Sequence, residues 1–166
     1  MTELGDQSQL PAEARARKLI DAQLAQAGWV VQDKKDLNLF AGQGVAVREV
    51  VMKAGHGRVD YLLYVDRAVV GVIEAKPVGT PLSGVEWQSA MYADGLPADV
   101  RIAARTNDGR VPFVFEASGV ETHFTNGFDP EPRARLIFNV PRPDTLARLL
   151  READTDPDGR RGVPRR

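Results

Sequence analysis

A chain of 166 residues is about one domain's worth, long enough to bury about 70% of its unfolded surface. Hydrophobic residues at 43% and charged residues at 27% exclude a wholly disordered, collagen-like or coiled-coil chain. Twenty-two Lys and Arg against 23 Asp and Glu give a net charge of -1, so only a local basic patch, not a global field, is available to a polyanion. No cysteine is present, which excludes disulfides, thiolate zinc sites and a cysteine nucleophile and makes a reducing, cytoplasmic compartment the expectation. The first eighteen residues lack the apolar core of an export signal, and no later stretch reads as a membrane span.

Residues 1–10 are polar and are expected to be flexible. Pro11 suits a first helical turn, and Ala16, Leu19, Ile20, Leu24 and Ala27 recur at helical spacing until Gly28. A second stripe, Glu13, Arg17 and Asp21, is spaced by fours. Trp29 to Gln32 reads as a short extended piece. Three strand-like runs follow, Val45 to Met52, Arg58 to Val65 and Ala68 to Ala75. Ser83 and Glu86 stand at capping-box spacing before a helix carrying Trp87, Ala90 and Met91 and ending before Gly95. Arg101 to Arg105 reads as a strand, Phe113 to Glu116 and Glu121 to Thr125 as a hairpin, and Leu136 to Val140 as one more strand. Pro143 opens a final helix to about Arg151, and 152–166 reads as a disordered tail. The expected domain is therefore residues 11–151.

Asp60 lies in the second strand run, while Glu74 and Lys76 end the third. In a strand, i and i+2 share a face, so Glu74 and Lys76 point the same way. Asp60 joins them only if the turn has the right parity. A three-residue connection pairs Val65 with Val69 and Asp60 with Glu74, whereas a two-residue turn pairs Asp60 with Ile73. Opposed carboxylates repel unless a cation lies between them. Magnesium, or manganese in its place, suits two carboxylates and the backbone carbonyl of Ala75 and keeps several waters. Lys76 adds fixed positive charge for the transition state. Such a set suits metal-assisted phosphodiester hydrolysis. "VVGVIEAK" is a nearly unbroken apolar run, the mark of a strand buried on both faces, where terminal charges are costly unless they act.

The order helix, three-strand meander, helix, strand, with Asp then Glu-x-Lys, resembles the α/β PD-(D/E)XK restriction-endonuclease-like core, here with an added C-terminal hairpin, strand and short helix. More narrowly, "EARARKLIDAQLAQAGW", "GRVDYLLYVDRAVVGVIEAK", "VEWQSAMYADGLP" and "GVETHFTNGFDPEPRARLIF" resemble the N-terminal nuclease domain of type I restriction enzyme motor (R) subunits. The resemblance implies a magnesium-dependent DNA endonuclease in which Asp60 and Glu74 hold the ion, Lys76 is the catalytic lysine and Glu13 the acidic residue of the first helix. It places Gln88 and Tyr92 in the family's Gln-x-x-x-Tyr element, near DNA, and Arg17 with them. The partners it implies are DNA, motor domains, and the methyltransferase and specificity subunits of a restriction complex.

Val59 stands where the superfamily's name has proline. No Gly-x-x-x-x-Gly-Lys loop appears, so ATP enters only through a motor domain outside this chain, which leaves an isolated domain, a truncated product or a stand-alone relative. A non-catalytic module that docks DNA or partner subunits is the rival reading. Glu13 and Arg17, one turn apart, equally suit a surface ion pair. Arg133 and Arg135 suit phosphate contact or an ordinary solvated face, and His56 and His123 lack metal-ligand spacing.

Overall fold

A computed structural model describes residues 12–53, 57–79, 81–82, 96–97, 100, 104–106 and 109–155. Helix α1, Ala12–Gln26, leads into β1, Val30–Asp33, and a short 3-10 turn, Lys34–Asp36. Strands β2, Gly44–Val51, β3, Arg58–Val65, and β4, Ala68–Ala75, form the meander. Then come β5, Phe113–Ala117, β6, Thr122–Asn126, β7, Arg135–Ile137, and helix α2, Pro143–Asp154. These strands build one mixed seven-stranded sheet in sequential order, β1 to β7. The pairs β1–β2 and β4–β5 are parallel and the others antiparallel. The described part is thus mixed α/β. The helix expected around Ser83 to Met91, with Gln88 and Tyr92, lies outside the described residues, as do residues 1–10 and 156–166.

The alternation of each strand sorts its side chains into two cores. On one face, Ile20 and Leu24 of α1 and Leu146, Ala147 and Ala153 of α2 cover Tyr61, Leu63, Ile73, Phe113 and Phe115. On the other, Val47, Leu62, Val72 and Val114 gather with Leu96, Val100 and Ala104. This double coverage explains why β4 reads as an unbroken apolar run.

Three expectations need correction, one of them the last strand, which runs Arg135–Ile137 and not Leu136 to Val140. The strand expected over Arg101 to Arg105 is not present in its described part: Val100 is helical, and Ala104 and Arg105 belong to no strand. Leu96, Val100 and Ala104 pack on the second face instead. The parallel neighbour of β4 is instead β5. The final helix also continues through Asp154, because Ala153 packs into the core one turn after Leu149 and Leu150.

Close approach of β4 and β5 depends on Gly71. A Cβ there would meet the Phe113 carbonyl oxygen at 2.7 Å, a backbone atom that has no rotamer to escape into. Gly71→Ala is expected to destabilise the domain by about 1–3 kcal/mol, seen as a lower Tm in thermal unfolding; an unchanged Tm would mean that the strands separate without cost.

Candidate active site

The chemistry-bearing ends of β3 and β4 meet through a register that neither simple turn predicts. The connection is the two-residue turn Asp66 and Arg67, both at positive φ, a conformation whose twist matches a hairpin. Val65 therefore pairs with Ala68 and Tyr64 with Val69. A bulge then intervenes, so that Leu63 pairs with Gly71 and Tyr61 with Ile73. One extra residue on β4 reverses the parity that the turn alone would impose, and brings Asp60 level with Glu74.

The regular ladder stops at Tyr61 and Ile73. Beyond it the Ala75 N–H donates to Asp60 Oδ2 at 2.8 Å, a side chain taking the place of a strand carbonyl. A matching irregularity lies on β2, where Arg48 pairs with Tyr61 and Val50 with Val59 around Glu49. Glu49 has φ 54°, uncommon for a residue with a Cβ. Both strands roll over at this step: Tyr61 lines the core under α1, whereas Val59 and Val50 line the opposite one. Asp60 and Glu49 are thereby turned toward the end of α1.

Arg17 meets them there. Its guanidinium donates to Asp60 Oδ1 at 2.7 Å from Nη2 and 3.2 Å from Nε, and to Glu49 Oε1 at 2.8 Å from Nη1. One turn on, Asp21 accepts from Arg48 Nη2 at 3.1 Å and from the Tyr61 hydroxyl at 2.6 Å. The stripe spaced by fours on α1 is therefore a docking face for β2 and β3. Arg17 engages the acids of the site, and Glu13 remains exposed near it in the first turn.

Asp60 is only 8% exposed, and Glu74 is half-buried beside it. Burial, followed by the negative charge of Asp60, pushes the Glu74 carboxyl up to about 7, against a smaller downward pull from Lys76. A hydrogen bond between the Asp60 and Glu74 side chains works in the same upward direction. Lys76, just past β4, shares the Glu74 side of the strand, and its N–H donates to the Ala117 carbonyl at 2.8 Å.

The donor chemistry suits magnesium: all-oxygen, two acids adjoining, with the Ala75 peptide at the same spot. Among the described residues no three His, Cys, Asp or Glu side chains gather as a ready metal cage. The residues suited to hold it are Asp60, Glu74 and the Ala75 carbonyl.

One residue beside the site was read in another role, and one was not singled out. Arg17 as a partner of Asp60 had only its place in the stripe to signal it. Glu116 had a plainer signal: "VIEA" ending β4 and "VFEA" ending β5 each carry two apolar residues, an acid and an alanine, and the strands align them in register. Glu116 is 2% exposed, and the Cα of His123 on β6 pairs with it from the far side. Arg135 is exposed on β7, 4.0 Å from Asp129. A separate cavity of about 300 Å³, lined by Val65, Ala68, Leu150 and Arg105 among others, lies by the Asp66 turn at the opposite end of β3 and β4.

A family model described as the type I restriction enzyme EcoKI endonuclease subunit second domain matches residues 31–126, more than half of the chain. The chain belongs to this family. No curated protein and no solved structure matches it. The endonuclease-subunit match takes in β2 to β6 and therefore Asp60, Glu74, Lys76, Glu116 and His123, as well as Gln88 and Tyr92. Helix α1, with Glu13 and Arg17, precedes the matched stretch. Among the described residues no helix is long and apolar enough to cross a membrane.

Proposed function

We propose that this chain is the magnesium-dependent DNA endonuclease domain of a type I restriction system, built on a PD-(D/E)XK core and hydrolysing phosphodiester bonds without reading sequence itself. The observation that carries this reading is the meeting of Asp60 and Glu74 at the ends of β3 and β4, with Lys76 two residues on, in a chain of an endonuclease-subunit family. Asp60, Glu74 and the Ala75 carbonyl would hold the ion, whose contribution when bound is to polarise a phosphate oxygen and acidify a water. Lys76 keeps a positive charge where negative charge builds on the phosphate. Hydrolysis adds water across one P–O bond and leaves a phosphate on one strand end and a hydroxyl on the other. Arg17 holds the Asp60 carboxylate from the side of α1, and Glu13 tops that helix. Gln88 and Tyr92 would contact DNA through amide, hydroxyl and ring. The motor, methyltransferase and specificity subunits of such a complex would supply ATP-driven movement and target choice.

One observation favours a second reading, a non-catalytic DNA-binding or docking module: a guanidinium already neutralises Asp60 Oδ1. Incubation of the purified chain with supercoiled and linear DNA in magnesium, in manganese and in a chelator separates the two. Cleavage that needs the divalent ion is expected, and DNA binding without cleavage under every metal condition would establish the docking module.

A further inference from the structure

Strands β4 and β5 run parallel with Glu74 paired to Glu116 and Ala75 to Ala117. Paired residues on neighbouring strands, about 4.8 Å apart, face the same side of the sheet. The faces agree: Ile73 and Phe115 belong to the core under α1, Val72 and Val114 to the opposite one, so Glu74 and Glu116 alternate toward the latter side. Glu116 is the deeper of the two, at 2% exposure. Its strand neighbours Phe113, Val114, Phe115 and Ala117 are all buried and apolar, and Phe115 stacks on Phe124 at 4.6 Å. Packing alone would be served as well by an apolar side chain of similar volume, since a buried carboxylate costs free energy that a hydrocarbon does not. The charge of Glu116 is also felt by Glu74, where it favours the protonated form.

We propose that Glu116 is a positioning residue for the divalent ion of this site, acting through Glu74. Like-charge repulsion from behind directs the Glu74 carboxylate away from β5 and toward Asp60, and the added negative charge strengthens the pull on a dication. The inference rests on the magnesium reading above. Partners that stand behind metal-binding side chains typically change affinity by about 10–100-fold when removed.

The test is calorimetric titration of magnesium and manganese into the whole chain and into Glu116→Gln, which keeps size and removes the charge. Affinity is expected to fall about tenfold or more, with Tm in chelator unchanged or higher. Glu116→Asp, which keeps the charge, is expected to retain most of the affinity. Glu116→Met supplies the same comparison if the glutamine variant does not fold. Equal metal affinity in wild type and in the uncharged variant, with a lower Tm in chelator, would make Glu116 a packing residue and overturn this inference alone. No binding by the wild-type chain would overturn the magnesium reading and this inference together.

Discussion

Lys76→Ala is expected to lower magnesium-dependent DNA cleavage by roughly 10²–10³-fold, the loss typical when one preorganised electrostatic partner of a developing negative charge is removed. The fold should survive. Lys76 lies just beyond the last residue of β4 and is half-buried, and its main-chain hydrogen bond to Ala117 is independent of the side chain. Truncation therefore opens no cavity among the apolar residues of either core. Unfolding should remain cooperative, and metal affinity should change far less than cleavage, because the proposed ligands belong to Asp60, Glu74 and Ala75. Cleavage under single-turnover conditions, alongside thermal unfolding and metal titration, checks all three. A variant that cuts at the wild-type rate would reduce Lys76 to a strand-end charge.

Magnesium should raise the stability of the domain strongly near pH 8 and little near pH 5. The Glu74 carboxyl keeps its proton to about pH 7 in the folded chain, against 4.5 for the ordinary group. A folded-state pKa raised in this way gives stability that is complete below the unfolded value and disappears as the pH climbs from 4.5 through 7. With a chelator present, unfolding should thus become easier over that window. A divalent ion takes the place of the proton: at 100 times its Kd it contributes about 2.7 kcal/mol, roughly 5–10 °C in Tm for a chain of this size. At pH 5 the proton competes with the ion and the shift should shrink. In Asp60→Ala the shift should vanish at every pH, since one of the two carboxylates proposed to hold the ion is gone. A metal-induced Tm increase of equal size at pH 5 and pH 8, or one that persists in Asp60→Ala, would place the ion elsewhere.

Arg17 bears on both results. Its bond to Asp60 Oδ1 neutralises one acid before any metal arrives. A cation entering the site must share Asp60 with this guanidinium. The pairing also ties the stripe of α1 to the chemistry, because Tyr61 and Arg48 hold Asp21 one turn further along.

Local pattern by itself determined most of the strands and both described helices. Arg58–Val65 and Ala68–Ala75 end where the sequence said they would, because β-branched and aromatic runs bounded by turn residues carry their own preference. The placement of Asp60, Glu74 and Lys76 at strand ends was legible for the same reason. The strand expected over Arg101 to Arg105 fails at Ala104 and Arg105, because a short apolar run fits either period until its neighbours are known. Only the tertiary structure decided how the acids meet. Turn length and bulge position jointly set the parity of β3 against β4, and a bulge is fixed by packing on both faces, including Gly71 against Phe113, not by the residues that form it. The same holds for Arg17 and Glu116. Their sequence distance from Asp60 and Glu74 spans tens of residues, and a sequence read segment by segment records which groups each element offers but not which neighbour the sheet order will place against them.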